Sequence, residues 1–310
     1  MQPVLHPQVR AILDRQLLEA APDITKDLRS ARSYSHCAPD LTGLIDKSVG
    51  INHRYFTSPS ADIPLNIYTP EGIGPFAGMV YFHGGGWVQF YPNKYDAQLT
   101  ALSALTHSVI VAPNYQKAPE HKFPVPFDDC YAALEWTYAH SRELNINSSK
   151  IGVAGDSAGG NLASAVTLKA RDEDKFPLTY QLLIYPCNGP DYVAHEEIPY
   201  AVGFGTNQRG MKWAWEQYLS NPLDKYNPYA APHSETNFAG LPPTIIVTAE
   251  FDVLREDGLG YAQKLLDAGV DMKLKDVAGM IHGFFNYGKY LAEGIEIRKY
   301  VAEEINRIHS

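Results

Sequence analysis

Apolar positions along this chain follow two patterns. "GMVYF", "SVIVAP", "KIGVAG", "TYQLLIYP" and "PTIIVTA" are short continuous apolar runs ending at or beside Gly or Pro. Such runs predict strands buried on both faces of a mostly parallel sheet. "IPLNIY" alternates and predicts an outer strand, and the amphipathic "DMKLKDV" predicts an edge strand. Helical periodicity fills the gaps at about 93–106, 126–143, 158–172, 257–269 and 284–308. Strands alternating with helices predict a doubly wound α/β architecture. Leu5, Val9, Ile12, Leu13 and Leu17 recur at helical spacing and predict an amphipathic first helix. Two stretches stand outside the alternation. Residues 21–50 are polar and weakly periodic, and residues 188–240 have no strand pattern but many aromatics. The second is expected as an insertion over one end of the sheet.

The composition limits the function classes. The chain has 310 residues, 45% of them hydrophobic and 20% charged, which suits one α/β domain with an elaboration or two small domains. A net charge of −9, spread without basic blocks, argues against nucleic acid and anionic membrane partners. Cys37, Cys130 and Cys187 show no metal-ligand spacing and are expected as reduced thiols. The first twenty residues carry charges throughout and do not read as a signal peptide. No run approaches the roughly 18 apolar residues of a membrane span. A cytoplasmic protein is therefore expected.

The chemistry gathers on "IGVAGDSAGGNLA". Ser157 lies between glycines where a buried strand turns into a helix, the Gly-x-Ser-x-Gly pattern of a nucleophile elbow. The following helix directs its N-terminal dipole at the reacting centre. "VYFHGGGW" ends another buried strand in consecutive glycines, whose amides approach a carbonyl oxygen without side-chain obstruction. Gly84, Gly85 and the amide of Ala158 are expected to form a three-donor oxyanion hole, with His83 bracing the loop. His282 in "VAGMIHGFF" follows the serine in the chain order a base takes in this architecture. The acid is sought after the preceding strand, in "TIIVTAEFDVLREDG", where Asp252 is best placed. Glu250, Glu256, Asp257 and, further on, Asp276 are the other candidates.

"HGGGW", "GDSAGGNLA", "AEFDVLREDG" and "HGFF", with "YQKAPEHKFP" between the first two, together resemble the hormone-sensitive lipase family of α/β-hydrolases. The resemblance implies an α/β-hydrolase fold with a mostly parallel central sheet, flanking helices and a helical cap. It implies a triad of Ser157, Asp252 and His282, a hole at Gly84, Gly85 and Ala158, and a catalytic core at 51–187 and 226–310. The cap would come from residues 1–50 and 188–225. Two departures stand out: Gln116 and Lys117 occupy a segment that usually reads YRLAPE, and Val253 replaces a usual proline.

The implied activity is that of a carboxylesterase hydrolysing short-to-medium acyl esters, with no metal or organic cofactor. Trp87, Phe204 and Trp213 are the expected substrate contacts, although cap packing explains such aromatics equally well. Two rival readings stay open: an amidase or arylformamidase on the same site, and a non-catalytic small-molecule binding protein. Lys273 and Lys275 on the edge strand give partial protection against strand pairing and still leave room for a homodimer.

Overall fold

The structure, a computed structural model, describes residues 4–18, 22–37, 42–193, 200 and 202–310. Parts of both expected cap segments, at 1–3, 19–21, 38–41, 194–199 and 201, lie outside the described residues, as does the Cys37 side chain.

Eight strands form one sheet: β1 (Val49–Thr57), β2 (Asp62–Pro70), β3 (Phe76–Phe82), β4 (Ser108–Pro113), β5 (Ile146–Asp156), β6 (Gln181–Ile184), β7 (Thr244–Phe251) and β8 (Met272–Ile281). The order is β1-β2-β4-β3-β5-β6-β7-β8. β1 and β2 pair antiparallel, as do β2 and β4, and every later neighbour is parallel. Eight helices accompany it among the described residues: α1 (Pro7–Leu18), α2 (Leu28–Cys37), α3 (Asp96–Thr106), α4 (Val125–Ala139), α5 (Ala158–Glu173), α6 (Gln208–Tyr218), α7 (Arg255–Asp267) and α8 (Ala292–His309).

The continuous apolar runs have a direct cause. Side chains alternate across a strand, and each face of this sheet has its own core. Met79, Tyr81, Ile245 and Val247 enter one core with Leu99 and Leu102 of α3 and Ile297 and Val301 of α8. Val80, Phe82 and Ile246 enter the other with Phe127 and Leu134 of α4, Leu162 of α5 and Leu265 of α7. A strand needed by two cores has no polar face to show.

The structure departs from the expectations at three places. β1 went unread because its residues are mostly exposed or half-buried, so its sequence "VGINHRYFT" lacks alternation. α2 lies in the stretch read as weakly periodic, whereas α6 is a helix within the insertion expected to belong to a helical cap. The last predicted helix is shorter: a 3-10 turn at Phe284–Asn286 precedes α8. α1 forms as expected. Its Val9, Ile12 and Leu13 are buried in the core with Met280, Phe284 and Leu291, and the His6 amide donates to the Gly279 carbonyl. No helix among the described residues is long and apolar enough to cross a membrane.

Candidate active site

Ser157 sits between β5 and α5 with φ 56° and ψ −121°. A non-glycine residue there is strained, and the surrounding packing must hold it. Gly159 permits the turn: a β-carbon on it would overlap the carbonyl oxygen of Phe82 at the end of β3. The elbow and the glycine loop therefore lie against each other, although they are far apart in the chain.

His282 and Asp252 reach the serine from the ends of β8 and β7. His282 Nε2 lies 3.0 Å from Ser157 Oγ, and its Nδ1 lies 2.7 Å from Asp252 Oδ2. The Asp252 side chain is closed from solvent, and its Oδ1 accepts from the Leu254 amide at 2.9 Å. A carboxylate only accepts, so the ring proton stands on Nδ1 and Nε2 faces the serine as an acceptor. The Tyr185 ring lies against the imidazole at 4.5 Å between centroids.

The rival acids are engaged elsewhere. Glu250 Oε2 accepts from the Gly279 amide, and Glu256 contacts Arg255. Asp257 accepts from the amides of Asn188 and Gly189. Asp276 accepts from Thr248 and Arg255.

The expected donor set changes at one glycine. The Gly84 amide donates to Asp156 Oδ1 at 2.9 Å and to the Tyr95 hydroxyl at 3.0 Å, so it is not available to a substrate oxygen. The Gly85, Gly86 and Ala158 amides have no protein acceptor among the described residues. Gly85 has φ +109°, and a β-carbon there would strike the Gln89 carbonyl, so only glycine suits that turn. Asp156 organises this loop. It accepts from Tyr81, Tyr95, Asn286 and the Gly84 amide, and burial raises its pKa against their opposing influence. His83 is buried, with Nδ1 2.7 Å from the Gly84 carbonyl, and burial pushes its pKa well below the ordinary value. A neutral ring with its proton on Nδ1 donates to that carbonyl.

A cavity of about 330 Å³ opens on Ser157 and His282. Ile24, Val88 and Phe90 line it together with Met211, Trp213 and Ala214 of α6. Of the expected substrate contacts, Trp213 is placed on the cavity and the other two are not. Phe204 stacks on Phe251 at 5.4 Å, away from the cavity lining. Trp87 is 0% exposed, flat against Tyr218 at 4.3 Å and tilted on Trp215 at 4.6 Å. This side chain, expected as a substrate contact, instead fastens α6 to the glycine loop. Trp87→Ala is expected to cost about 3–5 kcal/mol in denaturant unfolding, without moving the acyl-length optimum of any activity.

Met211 and Ala214 were not singled out in the sequence, although their signal was present. Asn207 caps α6 by accepting from the Gly210 amide, and Met211, Ala214, Trp215 and Tyr218 follow at helical spacing on its buried face. Among the described residues no group of His, Cys, Asp and Glu is arranged to hold a metal ion.

Residues 79–286 match the model of a family described as having the alpha/beta hydrolase fold. The chain is 34% identical over 270 residues to the carboxylesterase NlhH of Mycobacterium tuberculosis, covering 84% of this chain and 81% of that protein. It is 34% identical over 224 residues to an arylesterase of Saccharolobus solfataricus, covering 72% and 73%. Among solved structures, a hyperthermophilic esterase from the archaeon Pyrobaculum calidifontis superposes with a TM-score of 0.90 at 31% identity, covering 99% of both chains. The chain belongs to the α/β-hydrolase fold family, in its hormone-sensitive lipase-like group of ester hydrolases.

Proposed function

We propose that this carboxylic ester hydrolase cleaves short-to-medium acyl esters through an acyl-enzyme on Ser157. The observation that carries the reading is the line Asp252–His282–Ser157 opening on the 330 Å³ cavity beside the unpaired amides of Gly85, Gly86 and Ala158. His282 Nε2 takes the Ser157 proton as the oxygen attacks the ester carbonyl, and the three amides hold the oxyanion. His282 then gives the proton to the departing alcohol, and a water activated in the same way releases the acid. Asp252 keeps the ring oriented and balances the imidazolium charge.

The cavity wall supports the size limit. Trp213, Met211, Ile24 and Phe90 put bulky apolar side chains on its lining. The expected optimum lies at roughly two to eight acyl carbons. The test is kcat/KM for p-nitrophenyl esters of about two to about sixteen carbons, kept below micelle formation. Trp213→Ala should move the optimum upward, while Phe204→Ala should leave it in place. An optimum at about twelve carbons or more in the unaltered protein contradicts the reading. An anilide of the same acyl group, run beside each ester, decides the amidase alternative.

A further inference from the structure

Within "YQKAPEHKFP", Lys117 has no task in the reaction just described. The residue is half-buried, and its ammonium donates to Asn114 Oδ1 at 2.7 Å and to the Tyr115 carbonyl at 2.9 Å. It stands 4.9 Å from the centroid of the Tyr115 ring. Nearby carboxylates are occupied elsewhere. Asp129 of α4 accepts from the Gln116 amide and side chain, and Glu120 takes Arg32 of α2 in a two-bond clasp.

From this ammonium a continuous stack runs to the oxyanion donors. The Tyr115 ring lies face to face with His83 at 4.4 Å and 16°, and its hydroxyl donates to the His83 carbonyl at 2.8 Å. His83 Nδ1 donates to the carbonyl of Gly84, the residue before the two unpaired loop amides. We propose that Lys117 is a positioning residue for the oxyanion loop. Its ammonium steadies the Tyr115–His83 stack, and through it the Gly85 and Gly86 amides, while placing positive charge behind them. The proposal rests on the acyl-enzyme reading above.

Several charged or titratable groups face the ammonium. Asp129 and Cys130 come from α4 and Arg32 from α2. His83 and Tyr91 follow β3, and Glu120 and His121 belong to its own loop. Burial lowers the lysine pKa from 10.5 to about 7; Cys130 and Asp129 oppose the fall and Arg32 adds to it. The two consequences have opposite signs. Between the folded value and 10.5 the unfolded chain holds more protons, so folding stability rises with pH across that window and is lowest below it. Catalysis needs the cation, so kcat falls as pH rises through the folded value. A residue that served stability alone would move Tm and leave kcat of the folded enzyme flat.

The test measures kcat and KM for a short-chain p-nitrophenyl ester, with thermal midpoints, from about pH 6 to about pH 9 for three proteins. Wild-type kcat relative to that of Lys117→Met, which shares His282, should fall about three- to tenfold with a midpoint near neutrality, at constant KM, while the wild-type Tm rises. Lys117→Met should stay on the low plateau throughout and lose the rise in Tm. Lys117→Arg, whose charge does not titrate, should hold the high plateau to the alkaline end. If the Arg variant does not fold, the wild-type and Met profiles decide. A ratio of wild-type to Lys117→Met kcat that is flat or rises above neutrality overturns the proposal, and so does an alkaline fall that persists in Lys117→Met. Ester hydrolysis that survives Ser157→Ala would instead overturn the acyl-enzyme reading and leave the Lys117 profile to be read on its own.

Discussion

Ser157→Ala is expected to lower kcat by about 10⁴ or more while the fold stays intact. The substitution removes one oxygen from a buried turn. That oxygen makes no capping bond to α5, so the helix loses no terminal partner. Alanine carries the same β-carbon, so the positive φ is as strained as before and the Gly155–Gly159 contacts that enforce it persist. His282 Nε2 loses its 3.0 Å partner and keeps its bond to Asp252. The Gly85, Gly86 and Ala158 amides remain, so residual hydrolysis above the uncatalysed rate is consistent with the mechanism. Activity within tenfold of the parent, in a variant with an unchanged circular dichroism spectrum and Tm, would show that another group carries the chemistry.

The sheet was legible because burial on both faces leaves no polar position to blur a run such as "TIIVTA". β1 was not, since an outer strand half open to water imposes little on its side chains. The elbow was legible because a tight strand-to-helix turn demands small neighbours, and those demands are local. Donor choice was not. Three consecutive glycines look alike in sequence, and what separates Gly84 from Gly85 and Gly86 is Asp156 and Tyr95, brought in by other parts of the chain. Trp87 was misjudged for the same reason. Its neighbours Trp215 and Tyr218 lie more than a hundred residues away on α6. Local steric demands show in a sequence, but the partner that occupies a polar or aromatic group shows only in three dimensions.

The acid was the open choice among five residues, and Asp252→Asn is expected to lower kcat by about 10²–10⁴. The amide keeps the shape of the carboxylate, and its Oδ1 can still accept from the Leu254 amide at 2.9 Å. Toward His282, however, the amide nitrogen donates. With that group at 2.7 Å from Nδ1, the ring is driven to carry its proton on Nε2, where it can no longer take one from Ser157. The developing imidazolium also loses the negative charge beside it. The four other substitutions should behave differently for reasons specific to each site. Asp276→Asn weakens the clasp on Arg255 at the exposed face of β8, and Glu256→Gln weakens a second contact to the same arginine. Glu250→Gln loosens the hold on the Gly279 amide, three residues before His282, and should cost the next most in kcat. Asp257→Asn disturbs the amides of Asn188 and Gly189, where the chain enters the insertion, and should register mainly in Tm. Five variants assayed for kcat, KM and thermal midpoint give the order. If Asp257→Asn or Asp276→Asn costs more kcat than Asp252→Asn in folded protein, the 2.7 Å contact at Asp252 is not the one that orients the base.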